Sequence, residues 1–262
     1  MMNKYRHMIK WEIKVSLKEM LGYKANLISE FLLYVVLFLS VMGFSSTRQL
    51  QNSYHISADT AKFLVFLGYV FWQFSIIGLG YSSSSIGSDA RRGILEVKMQ
   101  SDFSYPFLNF VRILFKVVFS YIFILFFLVL SRFFFSITLR DLGFLLLSLV
   151  VVLPAVVGMY GIGLVFGGIS LKEKQISQVL MIVQGVLLFF SNIFQTGERL
   201  VYNLIPFCNG ITIIRNLYVG LPVSPGQVVV YIATNLLWLV LGLAVFSSCL
   251  GIERRKGGFS NY

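Results

Sequence analysis

The sequence predicts an all-α, polytopic membrane protein: six transmembrane helices, preceded by an amphipathic interfacial helix and interrupted by one short charged helix. Three observations carry that prediction. Of the 262 residues, 57% are hydrophobic and 13% are charged; a soluble domain carries about 25% charged residues, and half that number cannot cover a water-exposed globule. The apolar residues fall in uncharged runs close to the ~20 residues a helix needs to cross ~30 Å of hydrocarbon. The runs also lack the alternation of barrel strands: YIFILFFLVL, at 121–130, is apolar on every side.

The first element is a basic stretch over 1–26. Tyr5, Ile9, Ile13 and Leu17 fall four apart, Met8, Met20 and Leu21 join their side, and Lys10, Lys14 and Lys18 line another face. Such a pattern predicts a helix lying in the inner interface with its lysines towards anionic headgroups, either as an anchor or as a lever between a cytoplasmic partner and the first span. It is long for the basic start of a signal peptide, and no small-residue cleavage site follows, so the first apolar run is read as a retained span.

The spans are read at 31–47, 63–88, 117–131, 142–171, 175–197 and 227–249. Leu27, Ile28 and the flanking Glu30 extend the first inward. The third reaches full length because Lys116 and Arg132 at its ends can snorkel. The fourth is over-long and contains Pro154 with Gly158, Gly161, Gly163, Gly167 and Gly168, which predicts a kink or a tilt. The halves share no repeat, and the chain reads as one membrane domain over 1–262.

Lysine and arginine orient it. With the N-terminus inside, the inner segments hold Lys4, Arg6, Lys10, Lys14, Lys18 and Lys24, then Arg91, Arg92, Lys98, Arg112 and Lys116, then Lys172, Lys174, Arg254, Arg255 and Lys256. The outer segments keep six: Arg48, Lys62, Arg132, Arg140, Arg199 and Arg215, of 22 in all. Cytoplasmic loops collect such residues, so both termini are expected in the cytoplasm and the span number is expected to be even. The same rule accounts for the net charge of +11; no basic soluble module is present to make nucleic acid a partner. Cys208 and Cys249 are expected near opposite faces, too far apart for a disulfide.

Between the second and third spans lie about 25 mostly polar residues, 88–112, where a minimal turn between helices needs only about 2–8. The excess suits a short helix: DARRGILEVKMQ carries Ile94, Leu95, Val97 and Met99 amid Asp89, Arg91, Arg92, Glu96 and Lys98, with Asp89 near its N-terminus, where the helix dipole favours a negative charge. Ser101, Asp102 and Pro106 end it. From the residues alone this is either a docking element, with apolar anchors inside a charged rim, or a loop whose arginines only set orientation.

RRGILEVKMQSDFSYPFLNFVRIL, at 91–114, resembles the cytoplasmic loop of ABC transporter type-2 permeases, whose pattern runs E-R-x-x-G-T-L-E-x-L, then S-P, then a basic residue entering the third span. The counterparts are Arg91, Gly93, Ile94, Leu95 and Glu96, with Arg112 at the span entrance. Ile94 takes the place of the usual threonine, and the Ser-Pro pair is loosened to Ser104-Tyr105-Pro106. IPFCNGITIIRNLYVG, at 205–220, is similar to the family's outer segment before the last span: Pro206 and Arg215 match, and Ile205 stands where asparagine is common. The layout of the whole chain matches too.

The resemblance implies a permease subunit in a bacterial cell membrane that exports its substrate with ATP hydrolysed by separate cytoplasmic ATP-binding subunits. ATP and Mg then sit on that partner, and this chain binds no cofactor. A second permease copy, or a related permease, completes the walls. Asp89, Arg91, Arg92, Gly93, Ile94, Leu95 and Glu96 become the ATPase-coupling element, with Ile94 and Leu95 as its anchors. Agreeing with this, the chain lacks G-x-x-x-x-G-K-[ST]; GGISLKEK at 167–174 has glycine and lysine without the pattern.

No catalytic or metal cluster is legible: His7 and His55 are expected on opposite sides. Glu30 is the only acid near a span interior, and it reads as an interfacial residue that snorkels or pairs with a lysine. A substrate path must then use neutral groups, and Gln73, Ser75, Gln184, Asn192 and Asn235 are the candidates; the same residues also suit hydrogen bonding between helices. The abundant aromatics suit an apolar or amphipathic cargo (a drug, peptide, lipid or glycan) as well as lipid contact. The outer segment, 196–226, has Pro206 and Arg215 as a candidate exit cap, or Arg215 as an interfacial arginine. Two other classes stay open at this stage: a secondary transporter or intramembrane enzyme not driven by ATP, and a sensory or immunity protein of the same fold.

Overall fold

The computed structural model describes residues 2–173, 176–194 and 200–255, and within them all regular structure is helical, with no strand. Lys174, Gln175, Thr196, Gly197, Arg199 and Lys256, used in the reading above, lie outside the described residues. In order come α1 (Met2–Gly22), α2 (Lys24–Phe44), α3 (Arg48–Tyr54), α4 (Ala58–Arg91), α5 (Ile94–Met99) and α6 (Tyr105–Ser131). They are followed by α7 (Leu139–Val151), α8 (Leu153–Ser170), α9 (Ser177–Phe190), α10 (Leu200–Leu204), α11 (Cys208–Val219) and α12 (Pro225–Arg255).

Among the described residues, five stretches are long and apolar enough to cross a membrane: α2, α4, α6, the continuous α7–α8 stretch, and α12. They correspond to five of the six expected spans. The remaining one, expected over 175–197, is the 14-residue α9, about 21 Å long and short of the ~30 Å hydrocarbon core. Its helix stops because Ser191 is extended and Asn192 turns its side chain to the Cys208 carbonyl, 2.9 Å away.

The over-long fourth span breaks where the proline predicts. α7 starts on a capping box in which Thr138 and Asp141 bond each other's backbone N–H. It ends at Val151, and α8 begins with Pro154 in its first turn, where a missing N–H costs nothing. The glycines of α8 have another use. A Cβ on Gly78 of α4 would lie 2.6 Å from the Val156 carbonyl, and one on Gly163 would lie 2.8 Å from the Gly78 carbonyl. Gly161 and Gly242 meet backbone to backbone on the other side of α8. Small residues thus seat α8 between α4 and α12 at the close range that membrane helices favour.

α4 is the axis of the molecule. It is apolar on all sides and buried through nearly its whole apolar length, as expected of a central helix. α2, α6, α8, α9 and α11 all pack on it. α12 is the opposite case: Val229, Leu236, Leu237 and Val240 remain exposed along it.

Candidate functional site

The expected charged helix forms, but one turn later than predicted. α4 runs through Asp89 to Arg91, and the chain turns at Gly93, whose φ of 68° is left-handed. No atom lies within 4 Å of a Cβ built there, so backbone conformation alone demands glycine. α5 follows, then a turn closed between Ser101 and Phe103, then Pro106 in the first turn of α6.

Asp89 therefore lies in the last turn of α4, not at the start of the short helix, and it is buried. Its Oδ2 accepts from Lys98 Nζ at 2.7 Å and from Tyr105 Oη at 3.0 Å, with Arg112 Nη1 at 3.5 Å. Arg112 Nε in turn donates to Glu12 of α1, which also lies 3.7 Å from Lys98. Two carboxylates and two cations thereby tie α1, α4, α5 and α6 into one cluster. The side chains of Asp89 and Arg112 are each 7% exposed, so the dielectric around them is low and every partner counts. Two flanking pairs extend the cluster: Arg92 with Glu19 at 3.0 Å, and Lys116 with Glu30 at 2.7 Å. Glu30 is thus a lysine-paired residue, one of the two readings the sequence allowed.

Of the predicted coupling residues, Arg91, Arg92, Gly93, Ile94 and Glu96 are exposed, whereas Asp89 and Leu95 face the protein, Leu95 completely. Val97, 68% exposed, stands beside Ile94 as an outward apolar residue the sequence reading did not select; its i, i+3 spacing from Ile94 was the available signal. In α1 the inward face carries Glu12, Ser16 and Glu19, while Tyr5, Trp11, Val15 and Leu17 remain exposed. The lysine pattern did not show that two acids, Glu12 and Glu19, share the half-buried side of α1 with Met8, Ile9, Ile13 and Met20.

The candidate path residues do not converge. Gln73 and Ser75 are fully buried in α4, with no hydrogen-bond partner for either side chain. Asn192 donates to the Cys208 carbonyl and to Thr212 Oγ1. Asn235 donates to the carbonyls of Tyr231 and Pro206, which makes Pro206 an anchor point of α12. Gln184 is different: it lines a cleft of about 760 Å³ bounded by α1, α2, α4, α6 and α9.

Arg215 is buried too, at 1% exposure. Its guanidinium donates to the carbonyls of Leu64 (3.0 and 3.2 Å), Asn192 (2.6 Å) and Ile193 (2.5 Å). The last two are carbonyls that α9 would have bonded internally had it continued, so the arginine satisfies the helix break. Burial pushes its pKa down to about 10, which leaves it charged at neutral pH. Nearby, Tyr218 donates to Asp141 at 2.6 Å; burial and that acceptor push the phenol up to about 12. Burial likewise raises the thiol of Cys208 to about 12, and both cysteines are free.

Among the described residues no three His, Cys, Asp or Glu side chains are grouped to hold a metal ion. No family model matches the chain, and comparisons with curated proteins and with solved structures return no match.

Proposed function

We propose that this chain is the membrane-spanning permease subunit of an ATP-driven exporter, docked through α5 to a separate ATP-binding subunit and paired with a second permease copy or a related permease. The observation that carries the reading is the way α5 is held. Its outer side offers Ile94, Val97, Glu96, Arg91 and Arg92, apolar anchors within a charged rim, the composition of a docking patch. Its inner side is fixed by Leu95 and by the Lys98–Asp89–Arg112–Glu12 cluster. Force applied to α5 reaches α1, α4 and α6 together, and α4 is the helix on which the others pack. A loop that only set topology has no need of that rigidity.

The same end of the bundle gathers Arg91, Arg92, Lys98, Arg112, Lys116 and Lys172, and Arg254 near the end of α12 reaches Met99 there at 3.3 Å. The positive-inside rule orients this end to the cytoplasm of a cell membrane. Both termini then lie on that side, with α9 as the shortened sixth crossing, since five alone would leave the termini on opposite sides. ATP and Mg belong to the partner. The cargo is apolar or amphipathic, in keeping with walls built from neutral and aromatic groups. A proton-driven transporter is expected to carry an acid in the membrane interior; Glu30, the sequence candidate, lies near the inner end of α2 beside Lys116, 2.7 Å away.

The test is mild detergent purification of the full chain from its host, with identification of co-purifying proteins, beside a variant carrying Ile94→Asp and Val97→Asp. Both positions are exposed, so the substitutions leave the packed side of α5, at Leu95, untouched. An ATP-binding protein should accompany the wild type and be lost from the variant. Its absence from both, even after crosslinking in intact cells, would remove the exporter reading.

A further inference from the structure

The inward side of α1 is accounted for by the bundle; its outward side is not. Ile9 and Ile13, which the sequence offered to the bilayer, turn half-buried to the bundle with Glu12 and Glu19. On the opposite side Lys10, Lys14 and Lys18 stand one turn apart, all exposed. Trp11, 51% exposed, and Val15 flank this row on one edge, and Leu17 and Leu21 flank it on the other. Both acids of α1 are spent inward: Glu12 pairs with Arg112 and Lys98, and Glu19 with Arg92. Among the described residues no carboxylate pairs with the three lysines of the row. Lys14 Nζ lies 4.8 Å over the Trp11 ring, a cation–π contact that uses the charge and leaves the ammonium's N–H donors for other acceptors.

The position of α1 says what covers this side. Only Tyr23 separates it from the candidate span α2, and Glu12 meets Arg112 near the start of α6. The helix therefore lies where the spans begin, at the level of the lipid headgroups. Protein interfaces favour arginine and are depleted in lysine. A row of lysines beside a tryptophan and aliphatic edges, with no acid of its own helix among them, instead complements an anionic bilayer surface.

We infer that the outward side of α1 binds an anionic bilayer surface, the lysines at the phosphates and Trp11 at the acyl boundary, and that this contact steadies α5. The transfer runs through ion pairs. Glu12 lies 3.7 Å from Lys98 of α5, and Glu19 holds Arg92, two residues before that helix begins, at 3.0 Å. A bilayer that grips α1 limits how far α5 can move. Neither step needs ATP or a partner protein, so both are read on the full chain alone and stand or fall independently of the exporter reading.

The experiment is hydrogen exchange of the full chain in nanodiscs of phosphatidylcholine, with and without phosphatidylglycerol. Phosphatidylglycerol should slow exchange of the α1 amides about tenfold, and the α5 amides should slow with them. High salt should erase the difference, because the attraction is screened. Lys10→Gln, Lys14→Gln and Lys18→Gln together, all at exposed positions, should erase it as well. Lys10→Arg, Lys14→Arg and Lys18→Arg together should retain it, since the charge is kept. The salt arm uses the unaltered chain, so the test does not depend on a variant folding. Equal α1 exchange in the two discs, or a difference that survives high salt, would overturn the proposal and leave this side of α1 to a protein partner. Slowing confined to α1 would overturn the coupling to α5.

Discussion

Asp89 ties the connector, α5 with its ion-paired cluster, to the end of α4. It accepts from Lys98 and Tyr105 and faces Arg112 in a nearly dry cluster. Breaking a buried ion pair by removing one partner leaves uncompensated charge, at a cost of about 3–5 kcal/mol. Asp89→Asn should therefore lower the detergent melting temperature markedly, and Asp89→Glu should restore part of it; an unchanged melting curve for the asparagine variant would show that the cluster is not a tie. Arg215 makes the parallel case at the other end of the bundle. A Cβ on Gly68 would lie 2.9 Å from Arg215 Nη2 and 3.3 Å from Ile193 Cα, so Gly68→Ala presses on the arginine and on the backbone it holds. Gly68→Ala and Arg215→Lys should each destabilise by about 1–3 kcal/mol, read as a lower melting temperature, and the double variant should lose less than the sum because both act on one contact. Neither role was legible beforehand. Asp89 reads naturally as a helix N-terminal acid, and Arg215 as an outer cap, because nothing in a single sequence says that α4 continues to Arg91 or that α9 stops short and leaves carbonyls to bond.

At the scale of elements, the long apolar helices were the most legible feature, since each is simply an uncharged run of sufficient length. The kink of the fourth span was legible as well, because proline removes an N–H wherever it stands. α9 was not: an uncharged run of twenty-odd residues predicts a full span, and its early end goes with contacts far along the chain, from Asn192 to the Cys208 carbonyl and from Arg215 to the Asn192 and Ile193 carbonyls. α5 was legible in composition but not in register. Its start is fixed by Gly93, where an L side chain meets no clash yet has an unfavourable backbone conformation, worth about 1–2 kcal/mol. Gly93→Val should therefore loosen α5 and expose its amides to hydrogen exchange, while Gly93→Asn, which tolerates this region, should not. Equal exchange in the two variants would mean that the turn does not set the register of α5.

For the whole molecule, sequence composition establishes a helical multi-pass membrane protein, and the structure arranges it around α4, with α8 and α12 packed through glycines on one side and the ion-paired connector at one end. The proposed function rests on that connector acting as a docking lever, with Val97 outward and Leu95 inward. The most direct measurement is site-specific photo-crosslinking in intact host cells, with the photoreactive residue placed at 97 or at 95. The account predicts an ATP-binding protein captured from position 97 and only intramolecular products from position 95. Capture of no ATP-binding protein from position 97, under conditions where the chain is folded in the membrane, would contradict it.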